Sequence, residues 1–270
     1  MKDIFINKIS IKINLYQYTV VYAKNCTITL TDKKMNEKTT IHKGHIALLE
    51  RGLKVYLTID KYSNDTPYEI VPLGNDKLQG IIKIFEPFNS IEVSKCKLSR
   101  GIHEKVFIIN NNNTGSFLFN AIKQEGGADN QRYIYKLACL LSCVNDMQSL
   151  YNSLCVSASD FFTDKIRRII ESDLSRKWRL SAISEQLNIS EITIRKKLDT
   201  EGINFNQVLL DVRMQAAVRL ILNGEYHISK ISSLIGMSSA SYFIKVFSNY
   251  YGTTPKQFYL YHKSNKKTCY

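Results

Sequence analysis

Residues 183–198 read ISEQLNISEITIRKKL, and residues 231–247 read ISSLIGMSSASYFIKVF. Ile183, Leu187, Asn188 and Ile189 of the first stretch recur as Ile231, Ile235, Gly236 and Met237 of the second. Beyond the turn, Ile194, Lys196 and Leu198 recur as Phe243, Lys245 and Phe247, slipped by one position. Each copy runs from a short segment with apolar residues at helical spacing, through a turn-prone residue and a Ser, into a second segment with basic residues between its apolar ones. That pattern describes a helix-turn-helix. Two in tandem imply a chain that grips DNA.

Between the copies, Asn204 to Leu222 reads as one long helix, with Asn204 as its cap, Gln207 three residues on and Gly224 as its stop. Phe205, Val208, Val212, Ala216 and Leu220 form its inward stripe. Its 19 residues rise about 28 Å, so with side-chain offsets the two reading helices sit close to one duplex turn, ~34 Å, apart. Asp160 to Asp173 is a further helix ahead of the first copy, and Thr254-Pro255 opens a last one after the second.

Within the first unit Ile189, Ile194 and Leu198 face inward, which leaves Ile192, Thr193, Arg195 and Lys196 on the outer face. Ala240, Ser241, Ile244 and Lys245 are the equivalent set in the second. Arg195 offers a bidentate fork to guanine, and Ile192 or Ala240 an apolar contact for a thymine methyl. Backbone N–H groups at Ser190 and Ser239 stand where a helix start meets phosphate.

Charge supports this picture. The chain carries 37 Lys+Arg against 24 Asp+Glu, a net +13 over 270 residues, and no acidic residue follows Glu225. Such a surface attracts polyanions. Six cysteines show no CxxC and no zinc-ligand spacing, so thiols in a reducing cytoplasm are expected, with Cys139 and Cys143 on one face of a core-packed helix. The N-terminal MKDIFINKISIKIN alternates polar and apolar residues and is not a signal peptide, and no apolar run is long enough to span a bilayer. The expected location is the bacterial cytoplasm, at the nucleoid, with no membrane partner.

The first part of the chain has a different rhythm. From Ile9 to about Tyr68, Tyr16, Tyr18, Val20 and Tyr22 alternate, as do Thr27 and Thr29 against Ile28 and Leu30, and Val55, Leu57 and Ile59. Breaks at Thr31 to Lys34, Lys43-Gly44, Arg51-Gly52 and Ser63 to Pro67 give the short strands of a sandwich or barrel. Helices are expected over Asn75 to Phe85, Phe117 to Lys123 and Arg132 to Val144, with Asn110 to Gly115 as loop. The fold class is therefore α+β. A strand-rich domain covers residues 1–157 and an all-helical DNA-binding domain residues 158–270, with the first helix-turn-helix at about 180–201, the connector at 204–222 and the second unit at 228–250.

Trp178 to Ala217 and Ile228 to Phe258 resemble the AraC/XylS-type DNA-binding domain. The likeness is carried by Trp178, Ile194-Arg195-Lys196, Arg213, Ile231, Gly236, Ser241-Tyr242-Phe243, Phe247, Tyr251-Gly252 and Thr254-Pro255. FFTDKIRRIIESDLSRKW, SEITIRKKL and SSASYFIKVF are similar to the family's enteric virulence and fimbrial activators. Asn188 departs from the family where the first turn often has Gly, and Lys196 where Arg is common. The resemblance implies a transcription factor that binds double-stranded DNA and works with RNA polymerase. It also implies a cupin-like β-barrel or jelly roll with trailing helices as the first domain, with a homodimer contact expected through Arg132 to Tyr151. Relatives in this group hold a fatty-acid carboxylate with basic side chains near the first and after the third strand, where this chain has Tyr16 and Pro72. That exchange disfavours a long-chain fatty acid and opens a small anion such as bicarbonate as the effector, with Lys12, Tyr16, Lys24 and Arg51 as candidate residues and no other cofactor.

Two other classes compete. A cupin-type metalloenzyme would need His42, His45 and Glu50, but residues three apart in a strand point to opposite faces, and no third ligand has suitable spacing; neither catalytic nor metal residues are expected. A non-specific basic protein that binds nucleic acid or membrane would show equal affinity for any duplex, whereas a specific factor exceeds its non-specific binding by ~10³ or more.

Overall fold

The computed structural model describes residues 7–63, 65–88, 100–110, 113–125 and 130–263. The chain separates into two compact units, the second running from Asp160 to Lys263.

The first unit opens with strands β1 (Lys8–Asn14), β2 (Tyr18–Ala23), β3 (Cys26–Asp32), β4 (Glu37–Ile41), β5 (Ile46–Leu49), β6 (Lys54–Lys61) and β7 (Tyr68–Leu73). Helix α1 (Asn75–Phe85), strand β8 (Val106–Ile109) and helices α2 (Asn113–Glu125), α3 (Asn130–Leu141) and α4 (Met147–Ser157) follow. Two antiparallel four-stranded sheets form, in the orders β1-β6-β3-β4 and β7-β2-β5-β8. Their register follows from alternation: Ile9, Ile11, Ile28, Leu30, Val55 and Ile59 turn inward, and Lys8, Ser10 and Lys12 turn out. Tyr18, Val20, Ile46, Leu48 and Leu73 share one core with Ile81, Phe119, Leu137 and Leu154 from the four helices. This is the strand-rich, cupin-like arrangement with trailing helices that the resemblance implied.

Several local expectations need correction. Strands β7 and β8 lie beyond the expected strand region. The expected loop at Asn110 to Gly115 gives way to helix from Asn113. Arg132 to Tyr151 is not one helix: α3 ends at Leu141, and α4 begins after Asp146, whose Oδ1 accepts the Ser149 N–H at 3.0 Å. Tyr133, Leu137, Leu140, Leu150 and Tyr151 are spent on the unit's own core, while Arg132 and Tyr135 are exposed. Cys139 is exposed and so is not core packing, whereas Cys143 is half-buried and packs against the core.

The second unit contains α5 (Phe162–Ser172), α6 (Leu180–Leu187), α7 (Glu191–Thr200), α8 (Phe205–Asn223), α9 (Ile228–Leu234), α10 (Ala240–Tyr251) and α11 (Pro255–Lys263). Ile166, Ile170, Trp178, Ile183, Ile194, Leu198, Val208 and Val212 make one core. Trp178 packs beneath the Arg176 guanidinium and donates its indole N–H to the Asp173 carbonyl at 2.7 Å. Phe243, Phe247, Tyr251 and Phe258 stack as an aromatic cluster under α10. Helix α8 is capped by Asn204, which accepts the Gln207 N–H at 2.9 Å, and stops at Gly224 with φ +73°. Val208, Val212 and Ala216 of the expected stripe are buried. So are Asp211, Met214, Ala217 and Ile221, because neighbours close on α8 from more than one side.

Candidate nucleic-acid interface

Each helix-turn-helix is built by a left-handed turn and a serine cap. Asn188 ends α6 with φ +52°, and Gly236 occupies the matching place after α9 with φ +69°. Ser190 Oγ accepts the Thr193 N–H at 3.2 Å, and Ser239 Oγ accepts the Tyr242 N–H at the same distance. These caps satisfy donors that a helix start leaves open. Both Ser residues are exposed, so the first turns of α7 and α10 face solvent.

Inward anchors fix what points out. Ile194 and Leu198 drive α7 into the core, and Phe243 and Phe247 do the same for α10. On α7 this leaves Ile192, 64% exposed, with exposed Arg195 and Lys196 and half-buried Thr193. On α10 it leaves Ser241, Ile244 and Lys245 exposed and Ala240 half-buried. The expected residues thus gather on two outward faces, each mixing cationic, hydroxyl and apolar groups suited to base edges and phosphates. Two further residues belong to these faces. Tyr242, 52% exposed, lies one turn before Lys245 on α10, and its place three residues after the Ser239 cap was its signal. Glu191 forms an ion pair with Arg195 and is the acidic member of the α7 face.

The expected effector residues do not converge. Lys12 sits on the solvent side of β1, opposite Tyr56. Lys24 follows β2 and is paired with Glu69 at 3.0 Å. Tyr16 precedes β2 and accepts an N–H from Asn14 Nδ2, so the length of β2, roughly 20 Å at ~3.3 Å per residue, separates it from Lys24. Tyr16 and Arg51 are neighbours, because the Leu15 N–H donates to the Leu53 carbonyl at 3.0 Å and the Gly52 N–H to the Leu15 carbonyl at 2.7 Å. His42 and His45 lie in the turn between β4 and β5, not in a strand, so their rings meet edge to face with centroids 5.8 Å apart. Glu50 lies past the other end of β5, buried and bound to Arg100. Among the described residues no cluster of three or more His, Cys, Asp or Glu is placed to hold a metal ion, and no helix is long and apolar enough to cross a membrane.

A family model described as a helix-turn-helix domain matches residues 183–259. The virulence regulon transcriptional activator VirF of Shigella flexneri is 44% identical over 257 residues, covering 95% of this chain and 97% of its own. The transcriptional activator CfaD of Escherichia coli is 38% identical over 260 residues, 94% of this chain and 95% of its own. Among solved structures, ToxT from Vibrio cholerae shares the fold over 94% of this chain and 96% of its own, with a TM-score of 0.65 at 17% identity. ToxT has also been solved with an unsaturated fatty acid bound. The chain belongs to the AraC/XylS family of DNA-binding transcriptional regulators.

Proposed function

We propose that this protein is a sequence-specific activator of virulence or colonisation genes whose α7 and α10 enter two successive major grooves on one side of the duplex. The observation that carries this reading is the pair of serine-capped helices with buried anchors and outward cationic faces, joined by an α8 about 28 Å long. Arg195 takes guanine, Ile192 and Ala240 pack on thymine methyls, and Thr193, Lys196, Ser241, Ile244 and Lys245 complete the two contacts. The starts of α7 and α10 at Ser190 and Ser239 hold phosphate. Footprinting with the purified chain on genomic fragments tests this. The expected result is two protected patches about one helical turn apart, with specific affinity ~10³-fold or more above that for unrelated duplex. Equal affinity for every duplex overturns it and leaves a non-specific basic binder.

Three finer elements belong to the same reading. The effector is an anion held in the first unit near Tyr16 and Arg51, and the fatty acid bound by ToxT makes a lipid carboxylate the first candidate and bicarbonate the second. Calorimetry with oleate and with bicarbonate tests this, and no heat from either removes it. A second copy docks on the exposed side of α3 at Arg132 and Tyr135, so Tyr135→Lys shifts a dimer toward monomer in sedimentation. RNA polymerase is the partner in activation, read out by transcription in vitro. The protein acts in the cytoplasm at the nucleoid.

A further inference from the structure

We infer that Asp211 and Arg213 of α8 are positioning residues that fix the separation and angle of the two reading helices, so the second unit measures the spacing between half-sites. This rests on the proposal that α7 and α10 both read DNA.

Side chains two residues apart in an α-helix point about 200° apart, so Asp211 and Arg213 leave α8 on nearly opposite sides. Asp211 is fully buried, at 0% exposure. Its Oδ1 accepts the Gln207 side-chain N–H at 2.7 Å and the Tyr250 hydroxyl at 2.7 Å, and its Oδ2 lies 3.7 Å from Nη2 of Arg167. Arg167 belongs to α5, which packs against α7 and α8, and Tyr250 belongs to α10 itself. A single carboxylate therefore ties the support of the first reading helix to the second reading helix.

The other flank of α8 repeats the connection. Arg213 Nη2 donates to the Arg176 carbonyl, in the loop before α6, at 3.0 Å. The turn of the second helix-turn-helix closes over that loop. A Cβ at Gly236 would stand 2.6 Å from the same nitrogen and 2.7 Å and 2.8 Å from the carbonyl oxygens of Leu174 and Ser175. One side of the connector is thus bonded to α5 and α10, and the other to the loop before α6, against which the turn of the second helix-turn-helix packs. A buried carboxylate is costly to keep unless it is paired, and well-packed apolar residues often serve stability as well or better. Geometric specification accounts for its presence here.

Two modules held at a matched separation bind as one, gaining ~10²–10⁴ over either alone, and lose that gain when the geometry is wrong. Moving one half-site by one base pair shifts it by about 3.4 Å and turns it by about 34°. The test uses the full chain and a bipartite duplex selected from a randomised pool. Versions of that duplex with one base pair added or removed between the halves, and with one half scrambled, complete the set. The parent should lose ~100-fold when the spacing changes. Tyr250→Phe, which removes one hydroxyl, and Asp211→Asn should bind the selected duplex ~10-fold more weakly, lose no more than ~3-fold further on altered spacing, and keep their affinity for the single half-site within ~2-fold. Variants that keep the parent's spacing penalty overturn the inference. So does a Tyr250→Phe protein that loses as much on the single half-site as on the whole site, which would make the contact one of folding alone. A parent chain that selects no bipartite site defeats the two-groove proposal itself, and this inference falls with it.

Discussion

Glu191 and Arg195 face each other across one turn of α7, Oε2 to Nη2 at 2.8 Å, with Arg195 exposed and Glu191 partly so. An exposed pair at this spacing contributes only ~0.3–0.5 kcal/mol, so it barely holds the fold. It does hold the guanidinium that is proposed to meet a base. Glu191→Gln frees Arg195 and removes a negative charge from a surface that must approach phosphates. Affinity for the selected duplex should rise a few-fold at ~0.1 M salt, with a smaller gain at higher salt. Arg195→Ala should cost ~1–3 kcal/mol and relax preference at one position. Fluorescence anisotropy on the selected duplex and its single-base variants reads both effects, and an Arg195→Ala protein that weakens equally on all duplexes reduces Arg195 to a phosphate contact.

The two turns respond oppositely to substitution. Asn188 adopts φ +52° in an exposed place, so Asn188→Gly relieves left-handed strain and gives up some unfolded-chain entropy, for a net gain of roughly 0.5 kcal/mol. Gly236 combines φ +69° with backbone oxygens inside 3 Å of any Cβ. Gly236→Ala should destabilise the second unit by about 2 kcal/mol or more. Urea unfolding followed by circular dichroism separates them, and an Ala at 236 that unfolds with the parent would show that the turn has room.

Removing either cap hydroxyl, in Ser190→Ala or Ser239→Ala, should cost about 1 kcal/mol of stability, and the Gly variant at the same site only a few tenths. The comparison of Ala with Gly is diagnostic, because a Ser that serves only as a phosphate contact changes DNA affinity and leaves the urea midpoint unmoved.

These local features are also what the sequence made legible. A cap, a left-handed turn residue and an apolar spacing of three and four are properties of neighbours, so both helix-turn-helix units and α8 could be placed within a residue or two. The break between α3 and α4 had the same kind of signal, Asp146 three residues before Ser149, but the apolar run across it looked continuous. β8 is four residues, Val106–Ile109, with no alternation to mark it. Asp211 was illegible for a different reason. A lone acid in a helix has the pattern of a solvated face, and it becomes buried only because α5 and α10, far apart in the chain, both close on α8.

Lys61 gives the pH dependence its sign. It is buried at the end of β6, and burial lowers its ammonium to about 8 from the usual 10.5, partly offset by Cys26. A lysine with a depressed folded-state pKa costs stability in full below about 8, and the cost disappears as pH rises toward 10.5. Lys61→Met should therefore stabilise the protein at pH 7 by on the order of 2 kcal/mol. The advantage should fall to less than half by about pH 9.5. A difference in melting temperature that does not change between pH 7 and 9.5 would assign the effect to packing.

At the entrance to the second unit, the Glu201 carboxylate, from the end of the first reading helix, accepts the backbone N–H of Phe162, that of Thr163 at 2.9 Å, and the Thr163 hydroxyl. The opening turn of α5 is thus sealed by a residue that comes nearly forty positions later in the same unit. Severing the chain just ahead of Asp160 would leave Glu201 and the turn it seals in the same fragment. A protease acting there would release a fragment that keeps its own stopper, and with it the two helices proposed to hold a duplex.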